Sequence, residues 1–303
     1  MEKTRRKKHR PGGHVYAPGH DRVRDLLIPY LSCGFGRTHL FGHVAGWNHP
    51  FTLGGEWRWS MIRIMIVGDS ISHGSSGDWT WRYRLWKHLR VHGVELDLVG
   101  PRDDLDAITT AAPGDGDGAY ADPDFDPDHD AQWGRPFLAE KDEIESKVRV
   151  HRPDLLLVLL GINDLFWHGL PAEENEANVR SFVAAARRGA PGLRLVLGTV
   201  LDTQRARDDV VFNARVSEFN RRLVLLADDL STPGSPVAIA PTATEFVASA
   251  HTWDGTHPNP RGELRIAAAF ADLLALRFAL GGPYPRPFPN VPDLPPETKR
   301  VMT

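Results

Sequence analysis

Residues 62–72 read Ile-Arg-Ile-Met-Ile-Val-Gly-Asp-Ser-Ile-Ser, an apolar, β-branched run that stops abruptly at Gly68-Asp69-Ser70. A run of this length ending in Gly-Asp predicts a buried strand. A helical pattern resumes within about a dozen residues, so the strand and its turn fit the start of an α/β domain, where ligands bind at the carboxyl ends of strands. Ser70 is then delivered to the mouth of a site.

Two later stretches supply partners for that serine. Residues 155–160 form another buried-strand run that ends in Gly161-Ile162-Asn163-Asp164, and Trp253-Asp254-Gly255-Thr256-His257-Pro258-Asn259 carries a histidine with a carboxylate three residues before it. Together they offer a nucleophile (Ser70), a base (His257) and an orienting acid (Asp254). The hydroxyl of a serine attacks well only if a base takes its proton, and a carboxylate on the far ring nitrogen fixes the tautomer that can do so.

In order and wording these blocks resemble those of the SGNH hydrolases, also called the GDSL esterase and lipase family, over residues 62–279. Gly68-Asp69-Ser70 matches the nucleophile block, Gly161-Ile162-Asn163-Asp164 the asparagine block and Asp254-Gly255-Thr256-His257 the Asp-x-x-His block. The remaining block aligns with Asp130-Ala131-Gln132-Trp133-Gly134-Arg135. The resemblance implies a five-stranded parallel sheet in a flavodoxin-like three-layer α/β/α sandwich. It also implies a serine esterase that needs no cofactor and no metal, with an oxyanion hole made by the backbone N–H groups of Ser70 and Gly134 and the side-chain amide of Asn163. An acyltransferase would use the same triad on a different acceptor.

Composition sets wider bounds. The 303 residues are 41% hydrophobic and 25% charged, a globular balance with ample material for a core. Cys33 is the only cysteine, which excludes an intrachain disulfide and a cysteine-rich zinc site and favours a reducing, cytoplasmic location. No apolar run approaches the roughly 18 residues that span a bilayer, and the basic N-terminus is not followed by an apolar signal core. A membrane partner is therefore not expected.

Residues 1–60 stand apart. They hold ten Lys or Arg against four Asp or Glu, a net +6, whereas the remaining 26 Lys or Arg against 35 Asp or Glu leave −9 for residues 61–303. A disordered leader, or an over-extended gene start with Met61 standing directly before the first strand, is the expected reading, in either case outside the core domain of residues 61–282. A non-catalytic, nucleic-acid-binding arm is the rival, and basic clusters alone support it weakly.

Beyond Ser70 the pattern predicts helices over 79–91, 141–151, 171–188, a stretch carrying Phe212, Val216, Phe219, Leu223 and Leu226, and 260–280, alternating with strands over 94–99, 155–160, 193–200 and 237–240. Alternation of this kind implies a parallel sheet covered on both faces. Residues 101–133 form a long acidic connection without periodicity. Within it, residues 116–121 imitate a dinucleotide fingerprint but follow no strand, and the alternating aspartates 122–130 lack the glycine and glutamate of a calcium loop. The proline-rich residues 283–303 predict an extended strap or a tail.

Substrate contacts are expected from Asp69 and His73, which flank the nucleophile turn, and from the tryptophans that fall near the motifs, Trp133, Trp167 and Trp253. Asp69 and Asp164 read as carboxylates that organise loops, not as proton carriers. Trp79 and Trp81 follow the nucleophile loop. An indole offers a flat apolar face and one N–H donor, which suits the C–H face of a sugar. The expected substrate is a small ester carrying a short acyl group, most simply acetyl, on a polar, carbohydrate-like alcohol.

Overall fold

The computed structural model describes residues 61–107, 120 and 122–291. The basic leader, Cys33, most of the residue 116–121 stretch and the end of the proline-rich tail lie outside these residues.

β1 (Ile62–Gly68) is the central strand, and every residue of it but Arg63 is buried. The short turn α1 (Ser70–His73) follows directly, then α2 (Thr80–Val91) and β2 (Leu96–Leu98). The acidic connection ends in β3 (Asp130–Ala131), followed by α3 (Phe137–His151) and β4 (Leu155–Leu159). Next come α4 (Ile162–Phe166), α5 (Ala172–Gly189), β5 (Arg194–Gly198), α6 (Gln204–Asp208), α7 (Val210–Leu230) and β6 (Val237–Ala240). The last two elements are α8 (Ala248–His251) and α9 (Pro260–Phe278).

The strands run parallel in the order β2-β1-β4-β5-β6, the five-stranded sheet of the expectation. Chain order reverses at β1, the switch point at which α/β sheets open a crevice above the strand ends. Because parallel crossovers are right-handed, the reversal sends α2 to one face and α3, α5 and α7 to the other. α2 packs with α9, Trp81 stacking on Phe270 at 4.7 Å between ring centroids, while α3, α5 and α7 pack side by side.

The sheet has one strand more than expected. β3 pairs with the carboxyl end of β1, Val67 opposite Asp130 and Gly68 opposite Ala131, on the edge whose other end is taken by β2. Gln132 N–H then donates to Gly68 O at 3.1 Å. Two residues carry no periodicity, so this pairing is silent in the sequence. Its consequence is large, since it carries Trp133 and Gly134 to the mouth of β1.

Helix boundaries follow local chemistry. α3 starts at Phe137, four residues earlier than expected, because the Asp164 carboxylate accepts the N–H groups of Phe137 (2.8 Å) and Leu138 (2.9 Å). Asn259 caps α9, its Oδ1 accepting from Arg261 (3.0 Å) and Gly262 (3.1 Å), and Pro260 occupies the first turn. The cap ends the Asp254–His257 loop in a defined direction. The alternating aspartates diverge to separate partners: Asp122 accepts from Tyr83 Oη, Asp126 from Leu98 N and Asp130 from Lys147 Nζ. Residues 283–291 strap α2 to α9, with Tyr284 stacked on His88 and its N–H donated to Asp272.

Candidate active site

At the carboxyl end of β1 the chain turns through Gly68 and Asp69 into α1. A Cβ at Gly68 would lie 2.3 Å from Ser72 Oγ, so only glycine lets the four-residue helix fold back on its own strand. The Asp69 carboxylate caps that helix by accepting from Ile71 N at 3.0 Å. Ser70 thus occupies the first helical position, where backbone N–H groups have no partner within the helix.

The other two candidates arrive from the α8–α9 loop. His257 Nε2 lies 2.9 Å from Ser70 Oγ, and His257 Nδ1 lies 2.6 Å from Asp254 Oδ2. Asp254 is itself clamped, its Oδ1 accepting the N–H groups of Thr256 (2.9 Å) and His257 (2.8 Å). Burial opposes its charge, but the bonds from the His257 ring and these two N–H groups prevail and hold the carboxyl well below the usual carboxylate range. An ionised Asp254 keeps the ring proton on Nδ1, which leaves the Nε2 lone pair aimed at the serine.

Asn163, on α4, closes the site from the β4 side. Its amide N–H groups donate to Asp69 Oδ2 (3.2 Å) and Arg135 O (3.3 Å), so it ties the Ser70 turn to the Gly134 loop. Both bonds are long, and an oxyanion above Ser70 can compete for one of the N–H groups. Gly134 lies at φ +74 with open space where a Cβ would stand, a left-handed turn that brings it to the cleft wall.

Ser70, His257, Asn163 and Gly134 face a cleft of about 410 Å³, completed by Trp133, Ile162, Phe166, Trp167, Thr203 and Thr256. Trp167 is 73% exposed at its lip. Of these, Ile162, Phe166, Thr203 and Thr256 escaped sequence reasoning. Ile162 and Phe166 flank Asn163 at helical spacing, which is a usable signal. Thr203 is carried in by the cap of α6 and has none.

Three expected substrate contacts are corrected. The Asp69 side chain is buried beneath the cleft, where it caps α1 and receives Asn163. His73 is fully buried and points away, its Nε2 3.3 Å from Asp104 Oδ1. Trp253 is outside the cleft lining; its place in the loop is set by its N–H, which donates to His257 O at 2.9 Å. Trp79 and Trp81 also stand elsewhere, Trp79 in a separate cavity beside α2 and Trp81 in the core.

His73, Asp104 and His129 bring three donor atoms within 4.8 Å of one another, which invites a metal reading. The hydrogen bonds oppose it. His129 Nδ1 accepts from Ala131 N (3.0 Å), so its Nε2 carries the proton that is donated to Asp104 O (2.9 Å), and the Asp104 carboxylate is held by Arg102 through two bonds. No lone pair remains on His129, and the cluster is a buried polar network under the Ser70 turn.

Burial pushes the Asp69 carboxyl up to about 7, against the Ile71 N–H and the attraction of His257. A raised carboxyl contributes stability that is present below the usual carboxylate range and lost as pH rises through about 7. The stability of the wild type relative to Asp69→Asn should therefore fall between pH 5 and pH 8. Denaturant midpoints of both proteins across that range measure it, and a constant difference would contradict a buried, titrating Asp69.

The chain matches the model of the GDSL-like lipase/acylhydrolase family over residues 66–265. No curated protein sequence matches it. Among solved structures it is similar to a carbohydrate esterase family 3 protein from Talaromyces cellulolyticus, at 24% identity and a TM-score of 0.60, covering 71% of this chain and 97% of that one. It is also similar to a family 3 carbohydrate esterase from Clostridium thermocellum, at 21% identity and a TM-score of 0.59 over 74% and 100% of the two chains. An acetyl esterase mutant solved with an acetate ion reaches 24% identity and a TM-score of 0.61 over 71% and 97%. These likenesses show the α/β fold. Among the described residues no helix is long and apolar enough to cross a membrane. With the family model covering most of the chain, this protein belongs to the GDSL-like lipase/acylhydrolase family and is a serine ester hydrolase of the SGNH type.

Proposed function

We propose that the protein removes short acyl groups, acetyl foremost, from a carbohydrate-like alcohol through an acyl-enzyme on Ser70. The observation that carries this reading is the continuous chain from Ser70 Oγ through His257 to Asp254, at 2.9 and 2.6 Å. Ser70 Oγ attacks the acyl carbonyl while its proton passes to His257 Nε2. The oxyanion is met by the N–H groups of Ser70 and Gly134 and by the Asn163 amide. His257 then gives the proton to the departing alcohol oxygen as the C–O bond breaks, and a water repeats the sequence to free the acid.

Asn163→Ala should lower kcat by about 10²–10³-fold, the usual cost of one oxyanion donor. Because Asn163 also holds Asp69 and Arg135 O together, its thermal midpoint should be measured beside kcat; an unchanged kcat would remove Asn163 from the hole.

The substrate reading rests on the cleft walls. Trp167 and Phe166 form an aromatic edge, their rings 4.4 Å apart, with the Trp167 face open to solvent, which suits the apolar face of a sugar ring. The carbohydrate and acetyl esterases among the fold neighbours agree with it. Acetyl and propionyl esters should be cleaved faster than octanoyl esters, with acetylated sugars among the better substrates. An ester series of varied acyl length, with Ser70→Ala as the blank, tests this. A preference for long chains together with no activity on any acetylated sugar would overturn the substrate while leaving the triad in place.

A further inference from the structure

We propose that Trp133 is a positioning residue for the base: its indole face lies against the His257 ring and favours the imidazolium that forms as Ser70 attacks. This rests on the role of His257 proposed above.

The two rings are stacked, with centroids 4.8 Å apart and planes 20° from parallel. The indole is anchored at its other end, where Nε1–H donates to Gly74 O at 3.1 Å. Gly74 N–H in turn donates to Ser70 O at 3.0 Å, so the ring that covers His257 is fixed to the turn that carries the nucleophile. One face of the indole is therefore occupied by protein. A sugar platform needs an open face, which Trp167 offers.

The face of an indole carries partial negative charge and attracts a cation placed over it. Neutral imidazole gains little from this, whereas imidazolium gains more. The contact thus favours the charged form of His257, the form produced in the attack step. Two carboxylates act on His257: Asp254, at Nδ1, and Asp69, beneath the Ser70 turn. The remaining elements facing the cleft contribute Ile162, Asn163, Phe166, Trp167, Thr203 and Thr256, none of which titrates.

Removing the indole face should disfavour the imidazolium and move the acid limb of activity to lower pH. The test compares wild type with Trp133→Leu, Trp133→Phe and a protein carrying a fluorinated tryptophan at position 133 alone. Fluorination keeps the shape and the N–H while drawing charge from the ring face, so it answers the question even if Trp133→Leu fails to fold. Two readouts are taken: the acid limb of kcat/KM against pH on an aryl acetate, and the His257 pKa by NMR in the Ser70→Ala background. Leucine and fluorinated tryptophan should move both to lower pH, with kcat down roughly three- to tenfold and KM within about twofold. Phenylalanine, which keeps a weaker aromatic face and loses the bond to Gly74, should fall between leucine and wild type. An unchanged His257 pKa in the leucine and fluorinated proteins would overturn the proposal, as would a rise in KM with kcat and pKa intact, the signature of a substrate platform. The NMR titration needs no turnover, so a failure of the serine-esterase reading, seen as Ser70→Ala retaining activity, is distinguishable from a failure of this one.

Discussion

Ser70→Ala should lower kcat on an aryl acetate by about 10⁵-fold or more, with substrate binding largely kept. The magnitude follows from what disappears. Without Oγ there is no acyl-enzyme, and His257 and Asp254 have no proton to move for a nucleophile 2.9 Å away. Residual catalysis would come only from the oxyanion donors and from binding. The fold should tolerate the change, because the Ser70 C=O, which accepts from Gly74 N–H in α1, remains, and the side chain has His257 Nε2 as its partner.

Asp254→Asn should cost about 10⁴-fold in kcat, although it removes only one charge. Asp254 accepts three hydrogen bonds: from Thr256 N and His257 N on Oδ1, and from His257 Nδ1 on Oδ2. An asparagine has a single acceptor oxygen, which the two backbone N–H groups would hold. Its NH₂ would then face Nδ1 and donate to it, forcing the ring proton onto Nε2. A His257 with Nε2 protonated cannot take the proton of Ser70. Steady-state kinetics of Asp254→Asn beside Asp254→Ala check the argument; an asparagine variant within tenfold of wild type would show that tautomer control at this loop is not needed.

The readable parts of this molecule are those where one physical signal dominates. The run through β1 and the run Leu155–Leu159 are buried on both faces and have no polar residue beyond Arg63, so they announced a parallel sheet. On α5 the stripe Val179, Phe182, Val183 and Ala186 faces the core as its spacing implies. Ser70, Asn163 and the Asp254–His257 pair are nominated by the order and wording of short blocks that resemble those of the SGNH hydrolases, and the structure gathers them around one cleft. What escaped was set by tertiary bonds. β3 is two residues long and exists because β1 had a free edge, and α3 gained its first turn from a carboxylate 26 or 27 residues downstream. His73 looked like a pocket residue by proximity in sequence, yet α1 turns it inward to Asp104. Tryptophan proximity misled for the same reason: of five indoles near the motifs, two reach the cleft.

The central claim is that Ser70 is the nucleophile. A fluorophosphonate ester, which is attacked by an activated serine and stays attached to it, followed by peptide mapping, tests it without any assumption about substrate. The account predicts a single label on the peptide carrying Ser70, no label in Ser70→Ala, and much slower labelling in His257→Ala, whose serine has lost its base. A label on another residue, or a Ser70→Ala protein that still hydrolyses an aryl acetate at the wild-type rate, would contradict it.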